Sequence, residues 1–110
     1  MTAITDTPGY QLWEARLTAR VARADLVEAM RANMRRRGHY TTAARLTPNV
    51  PAAALDLLAE RMRDDEHVTT AHARFVEAQR AVSDAAHHVA EVAGIALDRL
   101  LTLDGETPAA

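Results

Sequence analysis

The stretch VTTAHARFVEAQRAVSDAAHHVAEVAGIALDRLLTL, residues 68–103, decides the fold. Within it Val68, Phe75, Val82, Val89, Ala96 and Leu103 recur every seven residues, and Ala71, Ala78, Ala85 and Val92 recur at the same interval between them. Alternating steps of three and four keep all of these on one face of a helix, the spacing of a coiled-coil seam. One of the two core positions is mostly alanine, so a facing backbone can come closer than a leucine seam allows. That favours a tight antiparallel pair.

The partner is found near the start of the chain. Leu12, Ala15, Ala19, Ala22, Leu26 and Ala29 form a second alanine-rich seam inside a helix expected from Tyr10 to Arg37. The same helix carries a neighbouring strip of Trp13, Leu17, Ala24, Val27 and Met34, and its apolar surface is then wider than one partner helix can cover. A middle helix with Leu55, Leu58 and Met62 is one candidate cover, and a second copy of the chain is the other. Trp13, Leu17, Val27 and Met34 are the residues expected at an intermolecular interface.

Helix breakers divide the rest. Pro8 and Gly9 end a polar leader, Gly38 closes the first helix, Pro48 and Pro51 bracket a turn, and Gly105 with Pro108 open a small-residue tail. The reading is a leader over 1–9, one helical domain over 10–103 and a tail over 104–110, both ends flexible. Inside the domain a short helical turn is expected near Thr42 to Leu46, a second helix from Pro51 to Arg63 and a third from Asp64 to Leu103. Continuity of the last two stays open. Carrying the seam backwards puts Arg61 and Asp64 at core positions, which argues for a break, with Asp64 as cap and Asp65 and Glu66 in the first turn. At roughly 1.5 Å per residue the third helix reaches about 60 Å and the first about 42 Å, so one end overhangs. The predicted fold is all-α, a long antiparallel hairpin with a short middle helix, completed to a four-helix bundle by oligomerisation.

Composition bounds the function. A chain of 110 residues is one domain by size, and with 4% aromatic residues and an apolar share that leans on alanine its core is thin. The absence of cysteine removes disulfides, thiolate metal sites and a cysteine nucleophile. No apolar run approaches the roughly 18 residues of a membrane span and the N-terminus lacks a signal-peptide layout, so a cytoplasmic protein without membrane association is expected. All 13 basic side chains are arginine, a sign of codon bias in a GC-rich bacterial genome. Residues 1–50 sum to +4 and residues 51–110 to −6, which favours docking of one half on the other or on a neighbouring subunit.

Three residue groups could carry chemistry. Arg31, Arg35, Arg36 and Arg37 concentrate positive charge where the first helix ends, as a phosphate backbone would require; the macrodipole and pairing with the acidic third helix explain arginines there as well. His87, His88 and Glu91 put metal-ligand types on one helix, yet the first helix offers no histidine to complete a di-metal bundle. The Thr41 to Arg61 stretch has helix-turn-helix lengths, but Ala52, Ala53 and Ala54 cannot read base edges. No nucleophile beside a base, glycine-rich phosphate loop or paired acid stands out, and no cofactor is expected.

The hairpin resembles in outline the small secreted helical-hairpin proteins of actinobacteria and the all-helical chorismate mutases. Gly38, His39 and Tyr40 replace the first group's tryptophan-glycine turn, residues 102–110 lack its export signal, and the second group's lysine, arginine and glutamate set is missing. The resemblance therefore implies architecture alone. The function expected is a non-enzymatic interaction or assembly protein, a homodimer foremost or one bound to a helical partner. The alternatives are a nucleic-acid-binding or regulatory protein and a metal-dependent helical bundle.

Overall fold

A computed structural model describes residues 4–103. After a single 3-10 turn at Ile4–Asp6 come four helices: α1 (Pro8–Arg36), α2 (Tyr40–Arg45), α3 (Ala52–Arg61) and α4 (Glu66–Leu103). No strand occurs among the described residues. The long helices α1 and α4 form an antiparallel hairpin, with α2 and α3 laid against its closed end. The expected tail, 104–110, lies outside the described residues, as do residues 1–3 of the leader. Of the leader's remainder, Ile4–Asp6 is a turn and Pro8 already belongs to α1.

Local chemistry sets the helix ends. Thr7 caps α1, its hydroxyl oxygen accepting from the Tyr10 N–H at 3.2 Å, and Pro8 stands in the first turn, where a missing N–H leaves no bond unmade. At the other end Gly38 has φ 82°, in the left-handed region where a side chain is strained. The His39 N–H then donates to the Met34 carbonyl at 2.8 Å and the Gly38 N–H to Arg35 at 3.0 Å, the paired bonds of a Schellman stop.

The chain breaks between α3 and α4, as the phase slip at Arg61 and Asp64 suggests, but the cap is Asp65 and not the expected Asp64. Asp65 Oδ1 accepts from the N–H groups of His67 at 3.0 Å and Val68 at 3.4 Å. Its Oδ2 accepts from Asn33 Nδ2 at 2.8 Å and from Arg36 Nη2 at 2.5 Å. Asp65 is the acid that both caps α4 and reaches the end of α1, whereas Asp64 faces solvent. Asn33 is 5% exposed, and its Oδ1 has no partner among the described residues.

The core is concentrated at the closed end. Leu26, Val27, Met30 and Met34 of α1 pack with Leu46, Leu55 and Met62 from the α2–α3 segment and with Val68 and Phe75 of α4. The seam itself is graded: Val68 and Phe75 are buried, Val82, Ala85 and Val89 half-buried, and Val92 and Ala96 exposed. Leu103 lies outside the described side chains. Asn33 meets Asp65 and Arg23 meets Phe75, two contacts whose residue numbers share one total, so Pro8 lies level with about residue 90. Roughly thirteen residues of α4, about 20 Å, therefore run past the start of α1.

Candidate functional site

Of the expected interface residues, Val27 and Met34 are 1% and 6% exposed because the α2–α3 segment covers them within the same chain. They are core residues here, a correction to their expected place at a surface. Trp13 and Leu17 lie beyond the reach of that segment, on the open half of the hairpin, and are 57% and 43% exposed. Val21, one turn further and absent from the expected set, is 56% exposed. The signal that would have found it is its step of four from Leu17, two turns after Trp13.

Tyr10, Trp13, Leu17, Val21 and Ala24 are spaced by three, four, four and three, which makes them one ridge along a straight helix. By helical spacing the row lies opposite the seam residues Leu12, Ala15, Ala19, Ala22 and Leu26, while its members Leu17 and Val21 also border a groove toward α4. Tyr10 and Trp13 rest on one another with ring centroids 5.5 Å apart and planes tilted 46°, which holds the indole against the helix. Beside the ridge a groove of about 630 Å³ runs between α1 and α4, lined by Leu17, Val21 and Ala22, by Ala71, Ala78 and Ala81, and by the charged Asp25, Arg74 and Glu77.

The arginines divide by role. Arg23 donates from Nε to the Pro48 carbonyl and from Nη2 to that of Val50, and its guanidinium lies 5.8 Å from the centre of the Phe75 ring. Arg31 Nε donates to the Leu46 carbonyl at 2.8 Å. Together they tie down the loop carbonyls between α2 and α3, which a helix or sheet would otherwise satisfy. Arg36 joins Asp65, and Arg35 pairs with Glu28 at 3.4 Å. Of Arg31, Arg35, Arg36 and Arg37, only Arg37 has no ion pair or side-chain hydrogen bond among the described residues.

His87, His88 and Glu91 are all exposed on α4. Among the described residues no three histidine, aspartate or glutamate side chains converge as metal ligands. His72 is half-buried with Nε2 2.8 Å from Asp56 Oδ1, an α3–α4 tie. The Asp65 carboxyl is held below the ordinary aspartate range, first by the Asn33 hydrogen bond and then by the Val68 and His67 N–H groups and the Arg36 charge, against the opposing effect of burial. That cluster has a structural occupation, joining the end of α1 to the start of α4.

Comparison with family models, with characterised proteins and with solved structures finds no match. No helix of the described residues is long and apolar enough to cross a membrane.

Proposed function

We propose that this chain is a non-enzymatic helical interaction protein, which assembles with another helix through the ridge on the open half of α1. One observation carries the reading: Trp13, Leu17 and Val21 expose large apolar side chains on successive turns of one helix face, with a tyrosine at the head of the row. Scattered apolar residues are normal on a surface, but a contiguous row with tryptophan at its centre is the composition of a binding hot spot. Its neighbourhood supports the same reading. The closed end holds the buried core, so the open half can present a ridge without the fold depending on that ridge being covered.

The test compares the native mass of the tagged protein in extract of its own host with that of a Trp13→Glu, Leu17→Glu double variant. The expected result is a species heavier than the monomer for the unaltered chain and the monomer for the variant, with equal helicity by circular dichroism. An identical mass for both, in a variant that is folded, removes the ridge as the assembly surface.

A further inference from the structure

The charges that border the ridge point to its occupant. On a helix of 3.6 residues per turn, Glu14 and Asp25 fall along one edge of the Tyr10 to Ala24 row, and Arg16 and Arg20 fall along the other. All four are exposed, and none has an ion-pair partner among the described residues. This segregation differs from the rest of α1, where Arg23, Arg31, Arg35 and Arg36 all have partners within the chain.

We infer that the ridge binds a second copy of the same chain, α1 against α1 and parallel, about a two-fold axis running along the pair. The inference rests on the proposed function and names its partner. Under that symmetry each acidic edge meets the other copy's basic edge, so Glu14 and Asp25 approach Arg16 and Arg20 twice over. A two-fold axis perpendicular to the helices would instead set arginine edge against arginine edge and acid edge against acid edge. Charge thus selects the parallel arrangement, while the apolar row supplies the contact. The aromatic head of the row then meets its own copy, Tyr10 and Trp13 against Tyr10 and Trp13. Beyond Ala24 the same face continues as Glu28, Arg31 and Arg35, already paired with one another at 3.6 and 3.4 Å, which ends the apolar contact after about four turns. Because the row lies opposite the α1 seam by helical spacing, the two hairpins join with the α1 pair at the centre and the α4 helices outside.

The chain has no cysteine, so one introduced thiol is the only one present. Tyr10→Cys and Ala24→Cys stand at opposite ends of the row, about 21 Å apart. In the parallel dimer each position meets its own copy at disulfide distance, so each purified variant alone forms disulfide-linked dimers on mild oxidation. Ala53→Cys, exposed on α3, stays unlinked. A parallel pair also predicts that Arg16→Glu with Arg20→Glu raises the dissociation constant about ten-fold or more, and that adding Glu14→Arg with Asp25→Arg restores it. An antiparallel pair would cross-link only when the two cysteine variants are mixed, and the first charge inversion would leave its affinity unchanged. Either of those results overturns the parallel pairing, as does a monomer in light scattering at high micromolar concentration. None of them touches the broader reading, which stands or falls on the mass in host extract.

Discussion

Replacing Asp65 by asparagine keeps an oxygen able to cap α4 and removes the charge that holds α4 to the end of α1. Replacing it by alanine removes both. Loss of an N-cap costs about 1 kcal/mol. Loss of the Asn33 bond leaves a buried amide with neither end paired, which adds about 1–2 kcal/mol. The Arg36 contribution is discounted to a few tenths, since that side chain is 58% exposed. The alanine variant is therefore expected to be about 2–3 kcal/mol less stable, and the asparagine variant about 1–1.5 kcal/mol, because asparagine caps nearly as well as aspartate. At about 4 °C per kcal/mol for a domain of this size, alanine lowers Tm by about 10 °C. Asp64→Asn, at an exposed neighbour, is expected to change Tm by less than about 2 °C.

The pH dependence follows from the same geometry. Since the folded carboxyl titrates below its unfolded counterpart, the stability Asp65 contributes is fully present above the unfolded value of about 4. It is lost as pH falls through the lower folded value. Urea unfolding of the unaltered chain and of Asp65→Asn, followed by circular dichroism from pH 7 to pH 3, should show a gap that is constant above about pH 5 and narrows below about pH 4. A gap that does not change with pH, or an Asp64→Asn variant that loses as much as Asp65→Asn, would refute the assignment of Asp65 as the joint between the helices.

Gly38→Ala is expected to destabilise by about 1–2 kcal/mol, read from urea midpoints, because φ 82° strains any side chain although nothing lies within 4 Å of the added methyl. A loss near zero would mean that the Schellman stop relaxes freely. Arg23→Gln, which unties the Pro48 and Val50 carbonyls, should lower stability by about 2 kcal/mol and speed amide exchange around residues 46–52 while leaving the α1–α4 seam protected. Unchanged exchange there would show that α2 and α3 are held by apolar contact alone.

How far the sequence could be read depended on whether the controlling interaction is local. Heptad spacing, Gly38 at the end of α1 and the prolines near α3 report on neighbours within a few residues, and the hairpin was legible from them. The choice between Asp64 and Asp65 was not, because both are good caps and only Asn33 and Arg36, some thirty residues earlier, distinguish them. The fate of Val27 and Met34 was hidden for a similar reason. A strip of apolar residues along α1 shows that cover is needed, but how far the α2–α3 segment extends along it depends on where Arg23 and Arg31 catch the loop carbonyls. The arginine cluster stayed open in the sequence for the same reason, since positive charge at a helix end reads alike whether it meets a phosphate, a carboxylate or a carbonyl of the chain's own loop.

These distant ties also explain why the exposed apolar ridge sits at one end of the rod. A hairpin whose seam is mostly alanine buries little area per turn, and at about 25 cal/mol per Å² two such helices alone would offset little of the entropy of ordering them. The α2–α3 segment remedies this at the closed end by adding Leu46, Leu55 and Met62 to the contact. The open half, from Pro8 to Ala22 and from Ala78 onward, receives no such addition among the described residues, and its Trp13, Leu17 and Val21 are exposed. A second α1 laid on the ridge would provide for the open half what α2 and α3 provide for the closed one. Stability and the proposed assembly would then be two uses of a single property, the excess apolar width of α1, divided along its length at the level where the α2–α3 segment ends.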